Sequence, residues 1–347
     1  MRFIVKMTLL FALIGSLSHA KDCCENEAVI LLYHRFGDDR YPSTNIKIEQ
    51  FKAQLEHLQS GGYHVLPLSR ILKAFEAKSP LPPKSVAITV DDGYKTILTN
   101  AHPLLKRYGY PYTVFVNPSA HDNASKNFLT WDEMRRMQAE GVEFANHSAT
   151  HENLLQKKGE DDALWRSRVS AEVRDAQKRL QSELGERRNT DPKIFSYPFG
   201  EFDEKLKMVL HELGYYCMAQ TSGAASSEGD MLAIPRFAIS QRFADMEDFK
   251  LKLATRHMPI AHLSDKKHRV SHAANPPLLI IELKKEIRGF GCYDSLGEPL
   301  EVQKQGSMSY AVKSKTKLKP PRDRYTCTAK AENGGWYWYS HLWVVED

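Results

Sequence analysis

Val86-Ala87-Ile88-Thr89-Val90-Asp91-Asp92-Gly93-Tyr94 is the stretch on which the reading of this chain turns. Its first five residues lack polar alternation and read as a strand buried on both faces, the kind found in a parallel sheet covered by helices. The strand stops at two adjacent carboxylates, and Gly93 then permits a sharp turn. Neighbouring Asp side chains repel one another, so a cation close by would relieve the conflict. The C-terminal ends of parallel strands are also where α/β active sites are assembled.

Outward from this stretch the same unit repeats. Strands are expected at 29–33, 63–66, 112–116, 142–145, 194–197 and 215–219, and amphipathic helices at 48–59, 69–77, 100–108, 131–139, 162–184 and 204–213. In the first helix Phe51, Leu55 and Leu58 share a face, and Gly61-Gly62 ends it. Strict alternation of this kind predicts an α/β fold with a parallel sheet, either a barrel or a doubly wound sheet.

Residues 246–275 break the rhythm: they are basic, carry His257, His262, His268 and His272, and end in Asn275-Pro276-Pro277, which reads as a terminal helix and linker. Short strands with turn signals follow and predict a small β-sandwich over 276–347. Near its end Trp336, Trp338 and Ser340 would share one strand face, and Tyr337, Tyr339 and His341 the other. An exposed aromatic face can bind sugar rings, but a small sandwich needs such side chains inside, and the core reading is the expectation.

The 347 residues carry 48 Lys and Arg against 43 Asp and Glu, with 42% hydrophobic and 26% charged, which excludes collagen-like and largely disordered chains. Residues 1–20 have the three parts of an export signal: Arg2 and Lys6, an apolar run over 7–17, and Ser18-His19-Ala20 before the cleavage point. Their removal takes the formal charge from +5 to +3. That is too little to argue for nucleic acid as a partner. No later stretch reaches the ~18 apolar residues of a membrane span. The expectation is an exported protein, periplasmic or secreted, with no integral membrane segment and no need of a second copy. Disulfides persist outside the cytoplasm, and Cys292 and Cys327 could close a loop worth about 3 to 4 kcal/mol. The pairing of Cys23, Cys24 and Cys217 stays open.

Two further stretches fall at strand ends. His147-Ser148-Ala149-Thr150-His151 spaces two imidazoles so that both serve one divalent metal, and with an Asp they make three ligands and leave one position open, as in a catalytic site. Phe195-Ser196-Tyr197-Pro198-Phe199-Gly200 is a fixed turn able to present a main-chain N–H and aromatic rings to a substrate. His34, closing the first strand, and Trp131, opening a helix, are candidates for the same groove.

Taken together, TVDDGY (89–94), HSATHENL (147–154) and FSYPFG (195–200), with LLYHRF (31–36) before them and LTWDEM (129–134) ahead of the His pair, resemble the polysaccharide deacetylase family. This is the NodB-homology domain of carbohydrate esterase family 4. The resemblance covers about residues 28–244 and is greatest to exported enzymes acting on poly-N-acetylglucosamine. It implies a distorted (β/α)7 barrel over 21–245 and an N-acetylated polysaccharide or oligosaccharide as substrate. It also implies one divalent metal, zinc foremost, held by Asp92, His147 and His151. Asp91 would be the general base toward a metal-activated water, and the backbone N–H of Phe199 would stabilise the oxyanion. His34, Trp131, Tyr197, Pro198 and Phe199 would line the substrate groove.

The chain departs from the family pattern twice. The acid that protonates the leaving amine usually comes from a late Leu-x-His; here Ile260-Ala261-His262 stands nearest, with His257 as the other choice. Many members begin the third motif with an Arg that holds the catalytic Asp, where this chain has Phe195 and Ser196. Arg236, in Ile234-Pro235-Arg236-Phe237, is expected to take that role; the other reading is a surface ion pair. Two other functions were open: a carbohydrate-binding protein with a dead site on the same fold, and an O-deacetylase.

Overall fold

The computed structural model describes residues 26–122, 126–185, 191–264, 267–332 and 334–346. The expected export signal and Cys23 and Cys24 lie outside the described residues.

Six strands run parallel in chain order: β1 Glu27–Tyr33, β2 Ser85–Val90, β3 Thr113–Val116, β4 Glu143–Asn146, β5 Lys193–Ser196 and β6 Tyr215–Met218. The sheet curls until its ends share one short segment. On one side of that segment Ile234 bridges Met218, the Ile234 N–H donating to the Cys217 carbonyl at 2.9 Å. On the other, β7 (Phe237–Ala238) pairs in parallel with Leu31 and Leu32 of β1. The α/β class holds, but one expected strand is misplaced. The 63–66 stretch is reduced to His64–Val65 beside the start of β2, squeezed between Gly61-Gly62 and Pro67.

Helices α1 Ile48–Ser60, α2 Leu68–Glu76, α3 His102–Tyr108, α4 Trp131–Ala139, α5 Asp162–Leu184 and α6 Glu204–Glu212 connect the strands. Each buries one stripe. Phe51, Leu55 and Leu58 of α1 pack with Leu31, Ile88 and Val114 in a single cluster, and Trp165, Val169 and Val173 of α5 pack with Phe195 and Tyr197 in another. Because the interior strands are apolar on both faces, polar side chains concentrate at their C-terminal ends. Among the described residues no helix is long and apolar enough to cross a membrane.

After α7 (Met246–Leu253) the chain is β-rich. One sheet has the order β8-β15-β14-β11, and a second β9-β10-β13-β12, for β8 Thr255–His257, β9 Ile260–Leu263, β10 Leu278–Leu283, β11 Arg288–Tyr293, β12 Glu301–Lys304, β13 Ser309–Lys313, β14 Arg322–Lys330 and β15 Trp336–Val345. Residues 255–263, expected in the linker, thus contribute a strand to each sheet. Leu279, Ile281, Val312, Tyr325, Cys327 and Trp343 form one apolar cluster drawn from both sheets. Cys292 and Cys327 face each other in register on β11 and β14 and are disulfide-bonded.

Side chains alternate along β15. Tyr337, Tyr339 and Trp343 turn toward that cluster, whereas Trp338, Ser340, Leu342 and Val344 face the α/β unit. Leu342 and Val344 join the cluster of Phe202 and Leu206, the Trp338 ring lies 5.5 Å from Phe237, and the Ser340 and Ser222 hydroxyls are 2.9 Å apart.

Candidate metal-binding active site

The ends of β2, β4, β5 and β7 converge. The Asp91 N–H donates to the Tyr33 carbonyl at 2.9 Å, extending the β1–β2 ladder by one rung. The chain then turns through left-handed backbone at Asp92 (φ 72°) and Gly93 (φ 67°). A Cβ at Gly93 would sit 2.6 Å from the His121 ring, so this close approach admits only glycine. Asp91 is wholly buried and the Asp92 side chain retains a sliver of exposure.

Beyond β4, Ser148 and His151 are also left-handed, at φ 62° each. The loop is pinned from three sides. Asn146 Oδ1 accepts the Ser148 N–H, Ser148 Oγ accepts the His151 N–H, and Glu172 of α5 accepts the N–H groups of Ala149 and Thr150 at 3.0 Å each. With Phe199, this neighbourhood holds four of the six left-handed non-glycine residues in the described chain. Such conformations cost of order 1–3 kcal/mol each and survive only where the surroundings impose them.

The result is a compact donor set. Asp92 Oδ1 lies 3.4 Å from both His147 Nε2 and His151 Nε2, long for hydrogen bonds. His147 Nδ1 sits 2.8 Å from the Ser196 carbonyl, which fixes the proton there and turns the Nε2 lone pair toward Asp92. Asp92, His147 and His151 each offer one ligand atom within 4.8 Å of the others. Two imidazole nitrogens and a carboxylate oxygen suit zinc and its borderline neighbours, so these residues fit a divalent metal.

Arg236 has no exposed surface and grips Asp91 with both prongs, Nη1 to Oδ1 and Nη2 to Oδ2, at 2.8 Å each. Nε donates to the Ala219 carbonyl at 2.9 Å, Nη2 also donates to Ser196 Oγ, and Ser196 Oγ donates to Asp91 Oδ2 at 3.1 Å. Ser196 Oγ thus bridges Nη2 and Oδ2 along one edge of the ion pair. Burial alone would raise Asp91, but the Arg236 charge, then His147 and the Arg236 hydrogen bonds, hold it below the usual carboxylate range. Burial likewise opposes a charged His147, yet its contacts with Asp92 and Asp91 lift it above the ordinary imidazole value. His151 is lowered by burial and by His147.

Other expected residues divide. His34 is half-buried at the end of β1; burial lowers its imidazole against the pull of Asp92 and Asp91, whose charges it feels. Phe199 is 43% exposed and its ring stands edge-on to His151 at 4.6 Å. Tyr197, Pro198 and Trp131 are buried. The Tyr197 hydroxyl donates to the Leu232 carbonyl and its ring stacks on Phe202, while Trp131 Nε1 donates to Asp122. His262 is not brought to this group: it is exposed on β9, opposite Glu282 of β10, because its segment belongs to the C-terminal sheets. His257 lies at the wrong end of the strands, its N–H on Glu27, the first residue of β1. Glu172 went unrecognised, since an acid in a long helix carries no signal of its own.

The family model for polysaccharide deacetylase matches residues 78–218. A Bacillus subtilis protein assigned to the polysaccharide deacetylases, YxkH, is 30% identical over 213 residues, covering 61% of this chain and 71% of that protein. The poly-β-1,6-N-acetyl-D-glucosamine N-deacetylase of Staphylococcus epidermidis is 27% identical over 235 residues, covering 62% of this chain and 80% of that enzyme. The fold is shared with the Streptococcus pyogenes deacetylase PplD, solved with acetate, at a TM-score of 0.58 and 21% identity over 65% of this chain and 98% of that one.

Proposed function

This chain belongs to the polysaccharide deacetylase family, and from that membership we propose that it is an exported, divalent-metal-dependent N-deacetylase of a polymer of N-acetylglucosamine. The observation that carries the proposal is the pairing of two constellations: a three-ligand set at Asp92, His147 and His151, and beside it a buried carboxylate clamped by Arg236. The substrate class is supported by the named activity of the staphylococcal relative.

A divalent metal at those ligands, zinc foremost, supplies Lewis acidity and lowers the pKa of water. Asp91, kept ionised and fixed in direction by Arg236 and Ser196, accepts the proton of the attacking water. The Phe199 main-chain N–H is offered to the developing oxyanion. The proton that Asp91 takes up is then passed to the leaving amine, so the step balances on the chain's own residues. The Cys292–Cys327 disulfide supports export, since such bonds persist outside the cytoplasm. The test is acetate release from β-1,6-linked N-acetylglucosamine oligomers after chelation and after zinc is added back. Release that zinc restores, and that Asp91→Asn lowers by about 10²–10⁴-fold, is the expected result. No release with metal present would overturn the proposal.

A further inference from the structure

A cleft of about 490 Å³ opens between the α/β unit and the first C-terminal sheet. Register decides what that sheet shows it. On β14, Tyr325, Cys327 and Ala329 point into the apolar cluster or are buried, so Arg324, Thr326 and Thr328 point the other way, and across the ladder Thr328 faces Trp338 and Thr326 faces Ser340. Tyr293 of β11 is paired with Thr326, next to the inward Cys292, and is 39% exposed. The cleft wall is therefore Tyr293, Arg324, Thr326, Thr328, Trp336 and Trp338. Flat rings, small hydroxyls and one guanidinium are the groups that stack on and hydrogen-bond to a pyranose.

Two details separate this wall from an ordinary packing face. The Arg324 guanidinium is half-buried and, among the described residues, takes no ion pair or hydrogen bond; burial there disfavours its charge. A cost of that sort is offset by an acceptor brought in from outside. The opposite wall is formed by Phe237 and Ala238, which directly follow the buried Arg236 that clamps Asp91, so the cleft lies one residue along the chain from the active site.

Resting on the deacetylase reading, we propose that this cleft is a distal subsite that holds uncleaved N-acetylglucosamine units of the same chain whose acetyl group is removed at the metal site, with Arg324 donating to an acetamide carbonyl. Its cations select the acetylated, uncharged stretch over deacetylated, ammonium-bearing product: Arg242, Lys252 and Arg324 outnumber the acids Asp248 and Asp294 along the cleft.

The chain offers its own probe, because Trp131, Trp165 and Trp343 are at most 9% exposed, which leaves Trp336 and Trp338 to report on the cleft. Full-length protein, metal-free so that nothing is turned over, is titrated with a β-1,6-linked N-acetylglucosamine hexamer while tryptophan fluorescence is followed. Quenching that is weakened about tenfold in affinity by Arg324→Gln and by the surface variant Tyr293→Ala supports the proposal. In steady state, the ratio of kcat/KM for hexamer over dimer should fall by a similar factor in both variants. Unchanged quenching and an unchanged ratio in Tyr293→Ala would overturn it, as would binding that falls steeply with salt, the mark of a polyanion rather than a neutral glycan. Quenching without acetate release from any oligomer would sink the deacetylase reading and leave the glycan site; acetate release with no dependence on these variants would do the reverse.

Discussion

Arg236 is a guanidinium with no exposed surface, and such a charge is tolerated only because Asp91 and Ser196 meet it at 2.8 Å. A single ammonium cannot reproduce that two-pronged contact. Arg236→Lys should therefore lower kcat by about 10²-fold while the protein keeps its full zinc content by elemental analysis; turnover near that of the unmodified protein would remove Arg236 from the mechanism. His151→Ala takes away one of three ligands. Zinc should then no longer raise the melting temperature, as it does when a ligand binds only the folded state. The two Asp and two His of the site were legible because chemistry-bearing residues ended apolar strands, a contrast that composition alone exposes. Tyr197 and Trp131 are turned inward, and residue type does not reveal which way a ring turns. Arg236 could be named from its position after a strand, but its bidentate grip and the bridge formed by Ser196 depend on contacts across 145 and 105 residues.

At the level of elements, the Tyr197-Pro198-Phe199-Gly200 turn places the exposed Phe199 ring against His151 by holding Phe199 at φ 58° and Gly200 at φ 69°. A Cβ on Gly200 would lie 2.6 Å from Gln220 Cβ. Gly200→Ala should destabilise the fold by about 1–3 kcal/mol in urea titration and raise KM as the ring is displaced; wild-type values of both would show that the turn relaxes freely. The sheet also shows where pattern reading stops. The apolar stretch 63–66 looked like a strand and is only an edge fragment. The segment that joins the sheet's ends contains Pro235 and Arg236, residues that argue against a central strand, and its ladder is completed by two residues and a bridge.

For the molecule as a whole, the α/β unit and the C-terminal sheets meet over buried imidazoles. His268 and His341 stack at 4.7 Å, His268 against the Phe202 ring, and His268 Nδ1 lies 2.9 Å from the Leu342 carbonyl. Burial pulls His268 down to about 4 and His341 well below the ordinary imidazole value. Both stay neutral when folded and take up protons when unfolded, so the unfolded chain binds more protons below pH 6.5. Stability is therefore greatest above pH 6.5 and is lost as pH falls toward 4, by about 3 kcal/mol for His268 alone. Urea midpoints between pH 7 and pH 4.5 check this, and a His268→Gln variant should flatten the profile. A slope that His268→Gln leaves untouched would assign the acid sensitivity elsewhere.

The short run Ile234–Ala238 has a consequence in time as well as space. A chain threaded outward from its N-terminus presents Asp91, Asp92, His147 and His151 long before Arg236 arrives. Until that run docks between Met218 and Leu31, Asp91 lacks its two-pronged partner and the ends of the sheet are not joined. One docking event thus both joins the ends of the sheet and fixes the direction of Asp91, so closure of the fold and completion of the site are a single step.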